Sequence, residues 1–469
     1  MNTQTWCKIA LHYFQNLKRK RIVTYFVAGG HGTTACKLAW EQPNNSTKIE
    51  SHLCIGVVDD GGHSGLLRLI SEEINVDYIP LGDLRNIWAD SIQNDVMSQL
   101  IQKRIGFNNN LNQLKDSLWL ELKALISLVK IYCKNGNEIE KYLPENILEE
   151  YLEKYINGYE SLLKKEDNLY NKHTIGNLFF SALMFSYKKI FNENPYSKIC
   201  EIIQNIGIFP QNIFIHLIDN KRLDLLIQNK RGEVIEKGEG NIDTIEFPVK
   251  VEFYEAFDPK TNSKATKSKE IISLINNSDL IVIPPGSETN SYPWIKYYSQ
   301  ELKTKSIIRI VNLTVEQSSL GFIEEVGFLE SLGLKPIYFY PKTFSNIKHE
   351  LGEDQYFKLI AKYSLQNKRA QDLSTKTILT GVKLCRPEIF DNTTQEELKS
   401  RILSIVNVQA YFQNGTYLQE FGTLLEDDAY ISQKGFRHST SQIQEVIHKI
   451  CTLSNITTES IIVALNENN

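Results

Sequence analysis

The stretch RIVTYFVAGGHGTTA, from Arg21 to Ala35, decides the fold of this chain. Its β-branched and aromatic side chains predict a buried strand over Arg21 to Ala28. Glycines follow at once, and residues Thr33 to Trp40 have the composition to begin a helix. The order strand, tight loop, helix is the opening unit of a Rossmann-like α/β fold.

The same order recurs further along the chain. Leu53 to Val58 closes on two aspartates, and Leu280 to Ile283 closes on Pro284 to Ser287. Ile307 to Val311 likewise closes on Asn312. Continuous apolar strands that end in polar or glycine loops are typical of a parallel sheet with helices on both faces. We therefore predict an α/β, Rossmann-like, mostly parallel sheet with ligands gathered at the carboxyl ends of its strands.

The rest of the sequence predicts additions to that core. Residues 87–172 are rich in Leu, Ile, Lys, Glu and Asn without a glycine loop, which predicts a helical insertion. Residues 213–244 alternate around a turn, which predicts antiparallel strands or a hairpin at the sheet edge. We expect a lead-in helix over 1–20, the core over 21–343, and a mainly helical region over 344–469 with apolar segments such as ILTGVKL and RILSIVNVQAYF.

The composition indicates a cytoplasmic protein with a small-molecule partner. The 469 residues carry a formal net charge of -4, with 23% charged and 42% hydrophobic side chains, which argues against general disorder and against a nucleic-acid-binding surface. Seven scattered cysteines without metal-type spacing argue against a disulfide framework or a structural zinc. No apolar run approaches the roughly 20 residues of a membrane-spanning helix. We expect neither a nucleic-acid nor a membrane partner, and the oligomeric state stays open, a homo-oligomer included.

The first glycine loop fits a phosphate-binding pattern. The sequence from Gly30 to Ala35 matches G-x-G-x-x-A directly after a strand and before a helix, where a dinucleotide fingerprint belongs. Glycines let backbone N–H groups approach phosphate oxygens, and the helix N-terminus adds partial positive charge. A tight turn without a ligand is the simpler alternative. The candidate ligand-binding residues are Gly29, Gly30, His31, Gly32 and Thr33.

Two adjacent carboxylates open a second glycine loop, DDGGHSG, from Asp59 to Gly65. Asp59 lies where a nicotinamide enzyme places the acid that grips the ribose, but the chain offers no evident catalytic partner in a second domain, so a NAD-dependent oxidoreductase ranks last. Paired carboxylates are also the hard oxygen ligands that Mg²⁺ prefers beside substrate phosphates. An aspartate that only caps the next helix is the structural alternative. We take Asp59 and Asp60 as candidate metal-binding and catalytic residues, and Gly61, Gly62 and Ser64 as ligand contacts.

Two more segments place polar side chains at predicted loops. In PLGDLRN, Arg85 has the geometry to clamp a phosphate, although a structural contact with Asp83 explains it nearly as well. In HTIGN, Asn177 is a candidate ligand contact, or else it or Thr174 only caps the apolar helix that follows. His173 alone is more often structural than catalytic.

A later segment, PPGSET, ends the strand over Leu280 to Ile283 with hydroxyls and free amides, although a Pro-Gly turn needs no function to explain it. Together with the two segments above and the strand ending at Asn312, it adds the remaining candidate ligand contacts. These are Asp83, Arg85, Asn86, Asn177, Gly286, Ser287, Thr289 and Asn312.

In this order the loops resemble the 2-phospho-L-lactate transferase (CofD-like) family, most closely its bacterial gluconeogenesis-factor (YvcK-like) branch. That branch reads GGGTG, ADDGGSSG, PPGDIRN, HSIGNL and GPGSLYTS. This chain reads GGHG, VVDDGGHSG, PLGDLRN, HTIGNL and PPGSETNS, followed by RIVNLT and a late Arg437-His438. His31 and His63 stand where the branch has Thr and Ser.

The resemblance implies a Rossmann-like fold that binds a nucleotide-linked phosphorylated ligand. The family's transferases move a phospholactyl group from a nucleotide donor to a deazaflavin alcohol with Mg²⁺, so an enzyme of this kind is a Mg²⁺-dependent transferase. The alternative is a non-catalytic nucleotide-sugar-binding regulator of carbon metabolism or cell-wall synthesis. On the resemblance, Asp59 or Asp60 holds the metal, Gly29 to Thr33 hold the phosphates, and Ser287 and Thr289 contact a ligand phosphate or sugar.

Overall fold

The chain forms two compact units in a computed structural model. Unit 1 comprises Met1–Ser51, Asp243–Lys250 and Ile272–Asn469, and unit 2 comprises His52–Ile242 and Val251–Ile271. The structure describes residues 20–28, 49–58, 62–73, 82–92, 94–166, 169–219, 221, 223–228, 231, 233–238, 253–258, 264–285, 288–310, 314–315, 322–341, 383–384, 402–406, 408–410, 436–438, 447–451, 453, 455–457 and 460–461.

Strands and helices alternate along much of the described chain. The strands are β1 (Arg21–Ala28), β2 (Ile49–Ile55), β3 (Arg104–Gly106), β4 (Lys172–Thr174), β5 (Ile213–Leu217), β6 (Asp224–Gln228), β7 (Val234–Lys237), β8 (Phe253–Phe257), β9 (Leu280–Ile283), β10 (Ile307–Ile310), β11 (Thr314–Val315), β12 (Ile337–Pro341), β13 (Lys383–Leu384), β14 (Ile402–Val406), β15 (Val408–Ala410) and β16 (Phe436–His438). The helices are α1 (Gly62–Glu73), α2 (Gly82–Ser91), α3 (Asp95–Gln102), α4 (Leu111–Tyr132), α5 (Ile139–Tyr142), α6 (Glu145–Leu163), α7 (Ile175–Phe191), α8 (Ile199–Ile206), α9 (Lys269–Asn277), α10 (Glu288–Tyr297), α11 (Ser299–Leu302) and α12 (Phe322–Ser331).

Unit 1 is built on a parallel sheet with the strand order β14-β12-β10-β9-β1. Each neighbouring pair in this order runs in parallel, and Val23 of β1 lies opposite Leu280 of β9. Every residue of β9 and β10 is buried, as expected for parallel strands that are covered on both faces. The predicted mostly parallel, Rossmann-like α/β fold is therefore confirmed.

Unit 2 is mainly helical. Helix α4 buries a stripe of apolar side chains at helical spacing and packs against α6. The predicted helical insertion is confirmed, although the helices begin earlier, at Gly82, and a short antiparallel pair, β3 with β4, brackets α4 and α6. A separate antiparallel sheet has the order β7-β6-β8.

Several boundaries differ from the predictions. β2 covers Ile49–Ile55 instead of Leu53 to Val58, because buried Ile49 and Ser51 alternate with partly exposed neighbours and extend the strand backwards. In the 213–244 region, β5 is the edge strand beside β2, as predicted, but the β6–β7 hairpin pairs with β8 in its own sheet. The predicted lead-in helix over 1–20 and the helix from Thr33 to Trp40 lie outside the described residues.

Past residue 343, the described segments are mostly strands. The two apolar segments noted there contain β13, β14 and β15, and β14 extends the parallel sheet by pairing with β12. Residues such as Ile402, Ile405 and Val406 are β-branched, which favours a strand over the expected helix. Most of this predicted mainly helical region lies outside the described residues. Within the described parts of the chain, no helix combines the length and apolarity that a membrane crossing demands.

Candidate functional site

The structure describes part of the predicted site. Gly62, Ser64, Asp83, Arg85, Asn86 and Asn177 are described, and for Thr289 only its place in helix α10 is described. The other predicted residues, Gly29, Gly30, His31, Gly32, Thr33, Asp59, Asp60, Gly61, Gly286, Ser287 and Asn312, lie outside the described residues. The elements on either side of each loop are nevertheless present.

In unit 1, the strands lead to three predicted loops at one sheet edge. β1 ends at Ala28, β9 at Ile283 and β10 at Ile310, directly or almost directly before the glycine loop, the PPGS segment and Asn312. Because these strands are parallel neighbours, their carboxyl ends lie at the same edge. The chain therefore enters all three loops from one side of the sheet.

A buried ion pair fixes the start of the PPGS segment. Arg309 of β10 and Glu325 of α12 are 1% exposed each, and the Arg309 Nε donates a hydrogen bond to Glu325 Oε1 at 2.5 Å. The Nη1 of the same arginine donates to the Pro284 carbonyl at 2.5 Å. Sequence reasoning did not select Arg309; its signal is a charged side chain inside the apolar strand IIRI.

In unit 2, the Asp-rich loop leads into a buried helix start. Helix α1 begins at Gly62, whose φ of +53° favours glycine, and a Cβ there would lie 3.7 Å from the Tyr170 ring. His63 and Ser64 follow, and both are buried. Asp59 and Asp60 therefore lie in the chain between buried Val58 and a helix N-terminus that is packed into the unit.

A hydrogen-bond chain joins this helix start to the HTIGN segment. The His63 Nε2 lies 3.1 Å from the Tyr155 hydroxyl, which lies 2.6 Å from Nδ1 of His173. The Thr174 backbone N–H also donates to His63 Nδ1, at 3.1 Å. All three side chains are buried, and Tyr155 belongs to α6 of the helical insertion. Sequence reasoning did not select Tyr155, because nothing in the insertion's helical pattern distinguishes it.

Arg85 lies against the start of α7, the helix that carries Asn177. A Cβ at Gly176 would lie 2.7 Å from Cγ of Arg85, so the arginine stem crosses directly over the first turn of α7. The Arg85 Nη2 donates to Asn86 Oδ1 at 2.5 Å. Asn177 is 2% exposed, and no hydrogen-bond partner for its Oδ1 is present among the described residues. Thr174 occupies the N-cap position of α7 but makes no side-chain capping bond, so the capping alternative for it gains no support.

The two buried histidines are neutral at physiological pH. Burial, with smaller electrostatic contributions from His173, Arg85 and Arg104, holds the pKa of His63 well below its usual 6.5. Burial also lowers the pKa of His173 to about 4. Neither imidazole therefore adds a positive charge beside the Arg85 guanidinium.

We expect stability to fall as the pH decreases from about 6.5 towards 4. The unfolded chain binds protons on these imidazoles near pH 6.5, whereas folded His173 does so only at about 4, so unfolding takes up protons in this window. The contribution of the neutral imidazoles to the free energy of unfolding is fully present above pH 6.5. Below that pH, the free energy of unfolding falls by up to about 1.4 kcal/mol per pH unit for each imidazole. Urea unfolding from pH 4.5 to 7.5 measures it, and His173→Asn should flatten the slope. An equal slope in this variant would contradict the assignment.

No metal cluster is formed by the described residues alone. Among them, the structure contains no group of three or more histidine, cysteine, aspartate or glutamate side chains that could hold a metal ion. Asp59 and Asp60, the predicted metal ligands, are outside the described residues. The described cysteines Cys54, Cys133, Cys200 and Cys451 are free thiols.

Comparisons with known proteins identify the family of this chain and support its fold. The family model described as 2-phospho-L-lactate transferase CofD matches residues 25–296. Two crystal structures of a UPF0052-family protein from Bacillus halodurans are similar to this chain. The first is 16% identical to this chain, and the aligned part spans 92% of this chain and 99% of the crystallised chain, with a TM-score of 0.51. The second is 15% identical, and the aligned part spans 91% of this chain and 99% of the crystallised chain, with a TM-score of 0.52. No curated protein matches the chain.

Proposed function

Because the chain belongs to the 2-phospho-L-lactate transferase CofD family, we propose that it binds a nucleotide-linked phosphorylated ligand and transfers the phosphoryl-linked group with Mg²⁺. The support comes from the meeting of three motif segments in unit 2. His63 at the start of α1 accepts a hydrogen bond from the Thr174 N–H before α7, and the Arg85 stem of α2 lies against Gly176, the residue before Asn177. Each segment follows or contains a predicted loop of the site.

The donor set suits an anionic ligand with a hard cation. Arg85 is a buried guanidinium, a group that binds phosphate oxygens through two parallel hydrogen bonds. Asn177 offers a buried carboxamide oxygen that no described residue satisfies, and native structures leave few such acceptors without a partner. Carboxamide and carboxylate oxygens are the ligand types that Mg²⁺ accepts.

We assign the Mg²⁺ ligands to Asp59 and Asp60, with the Asn177 oxygen as a further candidate donor. The cation would neutralise negative charge that develops on the leaving nucleotide. The chain's own groups would orient the ligand. Arg85 would bind a phosphate, and the N-terminus of α1 would donate hydrogen bonds from the backbone of Gly61 and Gly62 and from the Ser64 hydroxyl. In unit 1, Gly29 to Thr33 would hold phosphate oxygens, and Ser287 and Thr289 a phosphate or sugar.

The second candidate is a regulator that binds a nucleotide sugar without turnover. The double-aspartate loop DDGG supports it, because that sequence resembles the gluconeogenesis-factor branch more than the transferase branch. Both candidates share the binding step. They differ in whether the ligand leaves chemically changed.

We expect Mg²⁺ together with a guanosine or uridine diphosphate compound to raise the melting temperature. A ligand at a hundredfold excess over its dissociation constant adds about 2.7 kcal/mol of stability. Asp59→Asn and Asp60→Asn should remove the Mg²⁺-dependent part of this gain, because an amide in place of each carboxylate weakens the cation site. Thermal-shift titration with and without Mg²⁺ measures it, and mass spectrometry of copurifying small molecules identifies the ligand class.

Asp116→Asn is the matched control, since Asp116 is exposed on α4 and should leave the titration unchanged. If no guanosine or uridine nucleotide shifts the wild-type melting temperature at any Mg²⁺ concentration, the proposed binding function is wrong. If the ligand binds but is recovered unchanged after prolonged incubation with acceptor alcohols, the regulator replaces the transferase.

A further inference from the structure

The helical insertion contributes a side chain to the candidate site. Tyr155 lies in α6, more than 90 residues after His63, yet its hydroxyl contacts both His63 and His173. His63 stands at a position where the resembling branch has a serine. The side chain at this position thus meets a residue of the helical insertion in one buried contact.

A single backbone donor sets the donor-to-acceptor direction of every hydrogen bond in the series that links His63, Tyr155 and His173. The Thr174 N–H donates to Nδ1 of His63, so the proton of this neutral imidazole is on Nε2. The Nε2 then donates to the Tyr155 oxygen, and the Tyr155 hydroxyl donates to Nδ1 of His173. The proton of His173 is therefore on its own Nε2. The Tyr155 hydroxyl accepts from one imidazole and donates to the other, so it is the link between the two histidines.

The chain of bonds connects elements that carry the predicted site. His63 is the second residue of α1, immediately after the Asp-rich loop, and Thr174 is the N-cap of α7. Asn177 belongs to the first turn of α7. Since His63, Tyr155 and His173 are all buried, water does not readily replace a lost bond, and each unpaired group would carry its desolvation cost.

We propose that Tyr155 is a positioning residue for the nucleotide-ligand site: by joining His63 to His173 it holds the start of α1 against the start of α7. This inference rests on the proposed function for the identity of the ligand. The insertion thereby becomes part of the site's support, and Tyr155 acts through the two histidines without touching the ligand. Partners that orient ligating groups in this way typically change metal affinity by roughly 10–100-fold when they are removed.

The test compares Tyr155→Phe with Tyr159→Phe. Tyr159 lies one turn further along α6, and the centroid of its ring is 4.7 Å from the centroid of the His173 ring. Its hydroxyl has no hydrogen-bond partner among the described residues. Both variants remove one buried hydroxyl beside the same imidazole. Only Tyr155→Phe breaks the chain of bonds, so a purely general effect of losing a hydroxyl would appear in both.

Three readouts apply to the full-length variants. Nitrogen-15 NMR of labelled histidines should show His63 and His173 with their protons on Nε2 in the wild type, and a changed tautomer balance at His173 in Tyr155→Phe. Amide hydrogen exchange at residues 62–65 and 174–177 should accelerate by about tenfold in Tyr155→Phe, in line with one lost buried hydrogen bond. Titration with Mg²⁺ and guanosine or uridine diphosphate should show roughly 10–100-fold weaker binding.

Tyr159→Phe should leave all three readouts at wild-type values. Unchanged exchange and an unchanged His173 tautomer in Tyr155→Phe would overturn the proposal, as would equal effects in the two variants. If wild-type protein binds neither nucleotide, the proposed function fails on its own. The exchange and tautomer results, which need no ligand, then still decide whether Tyr155 positions the two helix starts.

Discussion

Glu325→Gln is expected to lower the free energy of unfolding by about 3–5 kcal/mol, because it leaves the Arg309 guanidinium buried without its countercharge. Both side chains are almost fully buried, so solvent neither screens the pair nor hydrates the remaining charge. The same guanidinium holds the Pro284 carbonyl, so its displacement would also disturb the start of the PPGS segment. Denaturant unfolding, followed by intrinsic fluorescence, measures the loss.

The same substitution in an exposed ion pair is the control. Glu121 pairs with Lys103 at 2.6 Å on the surface, and exposed pairs of this kind contribute at most about 1 kcal/mol. The double variant Arg309→Met with Glu325→Leu should recover most of the stability, since it replaces the pair with apolar side chains. A loss in Glu325→Gln no larger than in Glu121→Gln would contradict a buried pair.

Gly176→Ala is expected to destabilise the protein by about 2–3 kcal/mol, in the range of overpacked cores. The added Cβ would lie 2.7 Å from Arg85 Cγ and 2.8 Å from the Ile101 carbonyl oxygen, and the backbone atom has little freedom to retreat. Because the Arg85 stem must also move, Mg²⁺-dependent nucleotide affinity should fall in the same variant. Thermal unfolding and nucleotide titration together measure the two effects.

Gly106→Ala is its control, because a Cβ at Gly106 meets nothing within 4 Å and the residue lies in β3, beside the same segment. It should change stability by less than about 1 kcal/mol and leave affinity intact. Equal melting temperatures for the two variants would show that α7 does not press on Arg85 and α3 as closely as the contacts indicate.

The parallel core could be predicted from sequence because its strands are uniform and sharply ended. Arg21–Ala28 and Leu280–Ile283 match the predicted bounds to the residue, since each is a continuous apolar run closed by glycine or proline. β2 was predicted four residues late because its first half alternates polar and apolar side chains. The β3–β4 pair was missed because strands of only three residues leave no periodic signal.

The site was predicted in its parts and not in its connections. Arg85, Ser64 and Asn177 were selected from loop motifs, and the structure places all three in buried positions of unit 2. The bonds that tie those motifs together run through Tyr155, and the precise fit at Gly176 depends on Ile101. Such contacts join residues that are far apart in sequence, and a single sequence contains no periodicity that reveals them.

The strand order in unit 1 has a consequence for synthesis on the ribosome. β1 is made long before its neighbour β9, and Ile22 donates its N–H to the side chain of Asp279, 257 residues later. At about 5–20 residues per second, the nascent β1 waits roughly 15–50 s for this partner. Meanwhile α4 and α6 of unit 2 have each other to pack against. The apolar segment RIVTYFVA therefore emerges with β2 as its early neighbour in the sheet, while the side of β1 that receives β9 stays open during that interval.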